Sequence, residues 1–395
     1  MTTHTFLATT SRGAEDALAL ELRRMGLQRV HPERNAVRFM GPLQDGYRAC
    51  LWSRVASRVL LRIGRFEAMR DEALYAGLQA IDWSAHLAPT GTLWVDFIGG
   101  SKFIRHNQFG ARRCKDAIVD QLRTPAGQRP TVERDDPDLR LNVHLRHGVV
   151  TVSVDLSGQA LHWRTPDRQT TDAPLRETLA ATLLMMADWP KAARDGLPFL
   201  DPMCGSGTLV LEAAAMARDR APGLMRRRWG FSAWRGHDRA VWKALLDEAH
   251  ERRRAGQAHP SRFQGRDQDP AAVRAARHNA QRLGLKGIDL RRAPMKSMMP
   301  FGDQPGMVFT NPPYGERLGT EEEAAALFGR LGDTLRWKML GWSAYVLAPV
   351  GPLSRSVGLR TRARHVVFNG PIECRLLAFD IRDVAPQRAE EPPTG

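Results

Sequence analysis

From Pro198 onward the chain alternates short apolar runs with helical stretches, and this alternation constrains the fold more than any other feature. The runs are Pro198-Phe199-Leu200, Arg262-Phe263-Gln264-Gly265, Ile288-Asp289-Leu290, Met307-Val308-Phe309 and Trp342 to Leu347, then Val366-Val367-Phe368 and Cys374 to Ile381. Strands separated by helices predict a parallel, doubly wound α/β sheet, here with a terminal antiparallel pair. Sheets of this kind bind ligands outside the carboxyl ends of their strands, where the strand order reverses.

Two of those strand ends carry residues suited to chemistry. After the first comes Asp201-Pro202-Met203-Cys204-Gly205-Ser206-Gly207-Thr208, leading into the apolar helix Leu209 to Ala217. Its glycines let backbone approach a ligand, and the helix N-terminus offers free N–H groups to an anion. Asp201 can accept from a cationic amine. A carboxylate and an ammonium held together describe an amino acid, such as the methionine part of S-adenosylmethionine. No GxxxxGK[ST] exists, and Val210 stands where a dinucleotide fingerprint needs its third glycine.

After the fourth strand comes Thr310-Asn311-Pro312-Pro313-Tyr314-Gly315. An Asn side chain offers a carbonyl acceptor, an X-Pro-Pro segment is stiff and presents carbonyls without competing N–H groups, and Tyr314 offers a flat ring. Alone, the tripeptide reads equally as a strand-ending turn or as a site for a planar amine. In a doubly wound sheet the first and fourth strands are neighbours at the switch point, so Gly205 and Asn311 are expected to face one cleft. There Asn311 Oδ1 and the Pro312 carbonyl would accept both protons of an exocyclic amine, with Tyr314 stacked on the base. Positioning of two reactants plus local dipoles then suffices for catalysis, without metal or covalent nucleophile.

At the end of the second strand Asp267 is expected to bond ribose hydroxyls, while Asp269-Pro270 reads as a helix N-cap and first residue. The interval from Asp201 to Asp267 is far beyond the ~20 residues of a dinucleotide fold, so roughly Arg218 to Pro260 reads as an insertion. It holds Arg226-Arg227-Arg228-Trp229, Trp234-Arg235, Trp242 and Arg252-Arg253-Arg254. That composition fits a nucleic-acid contact or a solvated helical hairpin with tryptophan buried at its base.

The first 160 residues read as two α+β units. Thr5 to Thr9 is expected as a strand, with Ser11 capping a helix through Ala14, Leu18, Leu22 and Met25, a strand at Ala36 to Phe39 and a helix from about Leu43 to Leu60. A second unit begins near Arg65, with a helix at Asp71 to Ile81, a strand at Thr92 to Phe97 and a helix from Gln108 to Leu122. Two strands, Leu141 to Leu145 and Val150 to Leu156, then join through His147-Gly148 as a hairpin. Ser101-Lys102-Phe103-Ile104-Arg105-His106-Asn107-Gln108-Phe109 mixes cations, amides and rings ahead of Arg112 and Arg113. Such a loop can contact phosphates and unpaired bases, or it is simply a solvated basic face with Arg112 helped by Asp116. Leu161 to Asp172 has the look of a polar linker, and the helix opened by Ala173-Pro174-Leu175-Arg176-Glu177 is expected to close before Pro190.

At 395 residues the chain suggests two or three domains. Its formal charge is +15, with 23 basic and 17 acidic residues before position 166 and 35 and 26 after it, so both parts are basic. A spread positive field fits a polyanionic partner, although a generally arginine-rich surface would give the same count. Cys50, Cys114, Cys204 and Cys374 are scattered without CxxC spacing, which speaks against zinc or a disulfide framework and suits a reducing cytosol. Neither a signal peptide nor an 18-residue apolar span is read, so a cytoplasmic, membrane-free protein is expected.

With these residues in hand the chain resembles the THUMP-domain RNA guanine-N2 methyltransferases, most of all the 23S ribosomal RNA group. The resemblance rests on Arg105 to Phe109 with Lys115 to Asp120, Ala173 to Glu177, the Asp201 to Gly207 loop, Asn311 to Gly319 and Asn369-Gly370-Pro371-Ile372-Glu373-Cys374-Arg375. It implies a Rossmann-like class I methyltransferase domain with a mostly parallel seven-stranded sheet, at 161–384, preceded by α+β ferredoxin-like (1–64) and THUMP (65–160) domains; the Pro- and charge-rich residues 385–395 read as a loose tail. The implied cofactor is S-adenosylmethionine, held by Leu175, Asp201, Met203, Cys204, Gly205, Ser206, Gly207, Thr208, Asp267 and Gln268. Catalysis falls to Asn311, Pro312, Pro313 and Tyr314, and RNA contact to Lys102, Arg105, His106, Gln108, Phe109, Arg112 and Arg113. No metal is implied, and the state is monomer or homodimer.

Two positions depart from the family pattern. Ala293-Pro294-Met295 stands where an acid usually lies near the adenine, so adenine contact is expected to be weaker or to come from backbone. Leu161-His162-Trp163-Arg164-Thr165-Pro166 replaces an Arg-Arg-Gly-Tyr-Arg-like run. The expected reaction is formation of N2-methylguanine in 23S rRNA. Its rivals are the same chemistry on tRNA and an RNA-binding assembly factor without transfer. DNA methylation is less expected, because no segment the size of a target-recognition module follows the catalytic domain.

Overall fold

The computed structural model describes residues 2–382 apart from 105, 166, 172, 173 and 315–319. Arg105, Ala173, the Gly315 to Gly319 extension and the tail expected at 385–395 therefore lie outside the described residues. Two compact units are formed, Met1–Pro166 together with Asp219–Ala255, and Asp167–Arg218 together with Gly256–Gly395.

The first unit is built on one sheet of strands β1 (His4–Thr9), β2 (Gln28–Glu33), β3 (Ala36–Gly41), β4 (Arg58–Glu67), β5 (Thr92–Gly99), β6 (Thr131–Val132), β7 (Leu139–Arg146) and β8 (Val149–Asp155). Their order is β2-β3-β1-β4-β8-β7-β5-β6. β4 pairs with β1 at its first residues and with β8 along the rest, so the expected boundary at residues 64 and 65 falls inside a strand shared by both α+β units. The hairpin at His147-Gly148 forms as expected, both residues having positive φ (49° and 75°).

Several expectations for this unit need correction. The N-cap of the first helix, Glu15–Arg24, is Ala14 and not Ser11; Ser11 offers its carbonyl to the Ala14 N–H in the preceding turn, while the Glu15 carboxylate accepts from Gly13 N–H. The helix expected to reach Leu60 stops at Trp52. Buried Glu21 ends it: its carboxylate accepts from Ser53 Oγ at 2.6 Å and from the Arg54 and Val55 N–H groups at 2.8 and 3.3 Å, which pulls those donors away from helical partners. β2 was not expected at all. It is a polar edge strand with a register shift between Gln28 and His31 and with Pro32 inside it, devices that blunt an edge and erase the apolar alternation of a buried strand.

The segment expected as an insertion contributes Asp219–Ala255 to this unit. Among the described residues it holds one α-helix, Arg239–Ala255, with a short 3-10 turn at Pro222–Met225, and not a helical hairpin. Trp229 and Trp234 are buried, as the hairpin reading expected of its tryptophans. Arg252 pairs with Asp219 at 2.7 Å and lies 3.7 Å over the Trp52 ring, and Arg48 pairs with Glu248 at 2.9 Å. Counted with this segment, the first unit carries 33 basic and 22 acidic residues against 25 and 21 in the second. Most of the positive excess thus resides in one unit.

The second unit has strands β9 (Phe199–Asp201), β10 (Phe263–Asp267), β11 (Ile288–Arg292), β12 (Met307–Thr310), β13 (Ser343–Pro349), β14 (Ala363–Asn369) and β15 (Ile372–Asp380) in the order β11-β10-β9-β12-β13-β15-β14. Pairings among the first five are parallel, and β15 is antiparallel to both β13 and β14, as expected. The central strands are buried on both faces. Phe199, Phe309 and Tyr345 pack into one core and Leu200, Val308 and Ala344 into the other, which is why these strands read as continuous apolar runs. The helix expected to close before Pro190 does so, ending at Met186; Asp188 then turns left-handed (φ 51°), and Pro190 sits in the first turn of a new helix, Trp189–Arg194. That is the one place in a helix where a missing N–H costs nothing.

Candidate active site

β9 is flanked by β10 on one side and β12 on the other, so the switch point falls between β9 and β12. A pocket opens there. It is lined by Asp201, Met203, Cys204, Gly205, Ser206, Thr208 and Leu209 from the first loop, by Thr171, Pro174 and Leu175, and by Asn311. The expected juxtaposition of Gly205 and Asn311 is thus present, with Leu175 on the same wall. Gly207, Asp267 and Gln268 are not on that wall.

The loop after β9 is held by backbone shape. Gly205 and Gly207 both have positive φ (54° and 87°), a region that penalises any side chain, and Gly207 caps the helix Thr208–Ala217. A Cβ on Gly205 would find only Thr171 Oγ1, at 3.6 Å, so the requirement there is conformation and not crowding. Asp267, at the end of β10, accepts from Gly205 N–H at 2.8 Å and from Asp269 N–H at 3.0 Å. It therefore braces the loop from beside the pocket. Gln268 is exposed, its carbonyl accepting from Arg292 Nε at 3.2 Å. Ala293, at the position lacking the family acid, donates its N–H to the Asp267 carbonyl at 2.9 Å.

Asp201 is 1% exposed and accepts from Met203 N–H at 3.2 Å; no cation pairs with it among the described residues. Burial, with the nearby Asp267 charge adding to it, pushes its carboxyl up to about 8. An uncompensated carboxyl in such a place is suited to a cationic ligand. Burial likewise raises the Cys204 thiol, which keeps it a neutral packing group.

Asn311 follows β12, and its Oδ1 is buried without a hydrogen-bond partner among the described residues. An orphan acceptor of this kind costs about 1–3 kcal/mol, and buried polar groups are otherwise almost always paired. Pro312 is buried and Pro313 and Tyr314 are half-buried. The Tyr314 hydroxyl is fixed by Asn369 Nδ2 at 2.9 Å, so the ring is held at one end.

Sequence reasoning missed the residues that tie down the stretch before Leu175. It was read as a linker, yet Thr171 lines the pocket. Asn279, buried in the helix Pro270–Arg282, donates from Nδ2 to the Gln169 carbonyl (2.8 Å) and the Ser206 carbonyl (3.0 Å), while its Oδ1 accepts from Gln169 N–H (3.0 Å). Arg168 donates to Thr208 Oγ1 at 2.6 Å and pairs with Glu177 at 2.6 Å. The signal available was Asn279 itself, an amide on the face of Ala272 and Ala276.

The residues expected to touch RNA belong to the first unit. Lys102, His106, Gln108, Phe109 and Arg112 are exposed at or near the start of the helix Asn107–Leu122, whose Cys114, Ile118 and Leu122 are buried. Arg113 is committed within the unit, 4.4 Å over the Tyr75 ring and 3.9 Å from Asp71. Asp116 pairs with Lys115. No described helix is long and apolar enough to cross a membrane, and no described group of acidic, His or Cys residues is arranged to hold a metal ion.

Three family models match the chain: an RlmL ferredoxin-like domain over residues 5–60, a THUMP domain over 69–155 and an RMKL-like methyltransferase domain over 163–378. Among curated relatives, the ribosomal RNA large subunit methyltransferase K/L of Methylococcus capsulatus is 43% identical over 100% of this chain and 53% of its own length. The chain thus spans about half the length of the curated relatives it matches. Among solved structures, SMU.472, described as a methyltransferase and complexed with SAH, is 27% identical with a TM-score of 0.84, covering 98% of this chain and 100% of its own. A Listeria monocytogenes protein described as an N6-adenine-specific DNA methylase is 28% identical with a TM-score of 0.83, covering 96% of each.

Proposed function

The chain belongs to the RMKL-like methyltransferase family, and on that premise we propose that it transfers the methyl group of S-adenosylmethionine to the exocyclic N2 amine of a guanine in 23S rRNA. The observation that carries the reading is the buried, unpartnered Oδ1 of Asn311 in the pocket that also holds the buried, uncompensated Asp201. One is an acceptor waiting for an N–H donor, the other a carboxyl waiting for a cation. These two needs match an aromatic amine and the ammonium of an amino-acid-bearing cofactor.

The pocket fits the cofactor. Asp201 would hold the ammonium, and the free N–H groups at the start of the helix Thr208–Ala217 would face the carboxylate. When bound, the cofactor supplies an electrophilic methyl group. Asn311 Oδ1 and the Pro312 carbonyl would take the two amine protons as hydrogen bonds, turning the nitrogen lone pair out of conjugation with the ring. Tyr314, its hydroxyl tethered to Asn369, would support the base by stacking. Oriented acceptors of this type supply electrostatic preorganisation together with positioning. Lys102, His106, Gln108, Phe109 and Arg112 are the RNA-facing residues of this reading, and the cytoplasm is its expected location.

The test uses the purified chain, labelled S-adenosylmethionine and 23S rRNA from a strain lacking the protein. Label should appear at the N2 of one guanine, and Asn311→Ala should abolish it. Label on a tRNA guanine with none on 23S rRNA would move the same chemistry to tRNA, and methylated adenine in DNA would move it to DNA. Cofactor binding with no transfer to any nucleic acid would leave an RNA-binding assembly factor.

A further inference from the structure

Trp163 is the most exposed residue of a segment that is otherwise tightly held. It is 68% exposed, whereas Leu161 and Arg164 on either side are 3% and 4% exposed. Arg226 fixes the backbone just ahead of them: Nη1 donates to the Ala160 carbonyl at 2.9 Å, and Nη2 to the Ser157 and Gln159 carbonyls at 2.9 and 2.8 Å. The same guanidinium reaches to 3.5 Å from the Trp163 carbonyl and lies 4.7 Å over the Trp229 ring. Arg164 Nε donates to the Leu161 carbonyl at 3.2 Å, and its Nη2 donates to the Arg54 carbonyl. An indole left in water on a backbone held by so many bonds keeps little backbone freedom for a ligand to remove.

The surroundings select the ligand. His162 stands beside the indole, ring centroids 5.5 Å apart and planes inclined by 37°. Arg227, next in the chain to Arg226, is exposed and carries no ion pair among the described residues, while its neighbour Arg228 is taken up by Asp136 and Asp138. The unit to which all of them belong carries 33 basic against 22 acidic residues. An exposed flat ring in a unit with a positive excess, with the exposed Arg227 next in the chain to the arginine that holds its backbone, matches an unpaired nucleobase and its phosphate better than an apolar protein surface, which would favour depletion of charge.

We propose that Trp163 is a stacking platform for an unpaired base of the RNA substrate, with Arg227 on the adjoining phosphate. The inference rests on the reading of the substrate as RNA and adds a contact outside the Lys102 to Arg113 region. Stacking on an aromatic side chain contributes about 1–3 kcal/mol per base.

The test measures binding of the full chain to a single-stranded adenosine 12-mer and to a perfectly paired RNA duplex of the same length, with no methyl transfer in the readout. Trp163→Ala and Trp163→Leu should weaken the single strand about 5- to 100-fold and leave the duplex unchanged. Trp163→Phe should restore most of the affinity. Arg227→Ala should weaken both RNAs and lower the salt slope by about one. The Leu variant keeps apolar bulk, so it answers the question should the Ala variant fold poorly. Wild-type affinity of Trp163→Leu for the single strand overturns the proposal and leaves Trp163 as a contact for something other than RNA; an equal loss on both RNAs also overturns it and would mark Trp163 as structural. Absence of guanine methylation with the single-strand effect intact would overturn the proposed reaction and leave this inference standing.

Discussion

Asp267 Oδ2 accepts the Gly205 backbone N–H at 2.8 Å, joining the end of the second strand of the parallel sheet to the loop after the first. The acid expected to serve a ribose is therefore already holding the left-handed turn against which a cofactor would lie. Removing it should loosen the loop before it removes any ligand contact.

Asp267→Ala is expected to raise the Kd for S-adenosylhomocysteine at least tenfold, since a hydrogen bond to a charged group is worth about 1.5–3 kcal/mol. Asp267→Asn, which still accepts one N–H, should lose less. Isothermal titration calorimetry of both variants checks the order. Equal Kd values for wild type and Asp267→Ala would show that the brace does not matter to binding.

Asn311→Ala should move stability and catalysis in opposite directions. The substitution removes a buried acceptor that has no partner, so unfolding free energy should stay level or rise by up to about 1 kcal/mol. Methyl transfer should fall by about 100-fold or more, the scale for losing one preorganised dipole. Denaturant melts and single-turnover rates on the same preparation test this, and a large loss of stability would mean that Oδ1 is satisfied in the free protein.

The Asp201 carboxyl, raised to about 8 by burial and the nearby Asp267 charge, makes stability depend on pH with a definite sign. Unfolded, the group ionises near 3.9, so between about pH 4 and pH 8 the native state retains a proton that the unfolded state has lost. Stability from this group is full below that window and is lost as pH rises through it. Asp201→Asn should therefore gain in Tm relative to wild type as pH is raised from 5 to 8, and a constant difference would refute the assignment. Binding of an ammonium ligand to wild type at pH 7 should release a proton, seen as a calorimetric heat that changes with the buffer's ionisation enthalpy.

Asn279→Ala should cost about 1–3 kcal/mol of stability, because it strands the Gln169 backbone groups and the Ser206 carbonyl together. It should also weaken cofactor binding, although Asn279 is not among the residues lining the pocket. Asn279→Asp keeps the acceptor for Gln169 N–H but turns the donor into an oxygen facing two carbonyls, so it should cost at least as much as Ala. Chemical denaturation and S-adenosylhomocysteine titration of the pair measure both effects, and an unchanged ligand Kd would reduce Asn279 to a packing role.

What could be read directly was whatever declares itself over a few neighbouring residues. Apolar runs such as Met307-Val308-Phe309 mark strands because both faces are covered, and Asp201 to Thr208 marks a ligand loop because glycines must follow a strand and start a helix. Asp269-Pro270 announced its helix, and the Asp269 side chain does accept from Ala271 N–H at 2.8 Å. β2 escaped because an edge strand with Pro32 and a register shift has no apolar alternation to show. The helix through Trp52 was drawn too long because its stop comes from Glu21, more than thirty residues earlier in the chain.

The sequence by itself determined the doubly wound order, the switch point and the residue types gathered there, since strand periodicity and turn chemistry are local properties of the chain. Tertiary structure alone decided that Asp219–Ala255 joins the first unit, that the stretch around Gln169 is pinned by Asn279, and that, among the described residues, Asn311 Oδ1 is left buried without a hydrogen-bond partner and Asp201 buried without a cation. The physical reason is that burial and hydrogen-bond satisfaction depend on groups brought together from distant positions, and no local pattern records which polar atom will be the one left over.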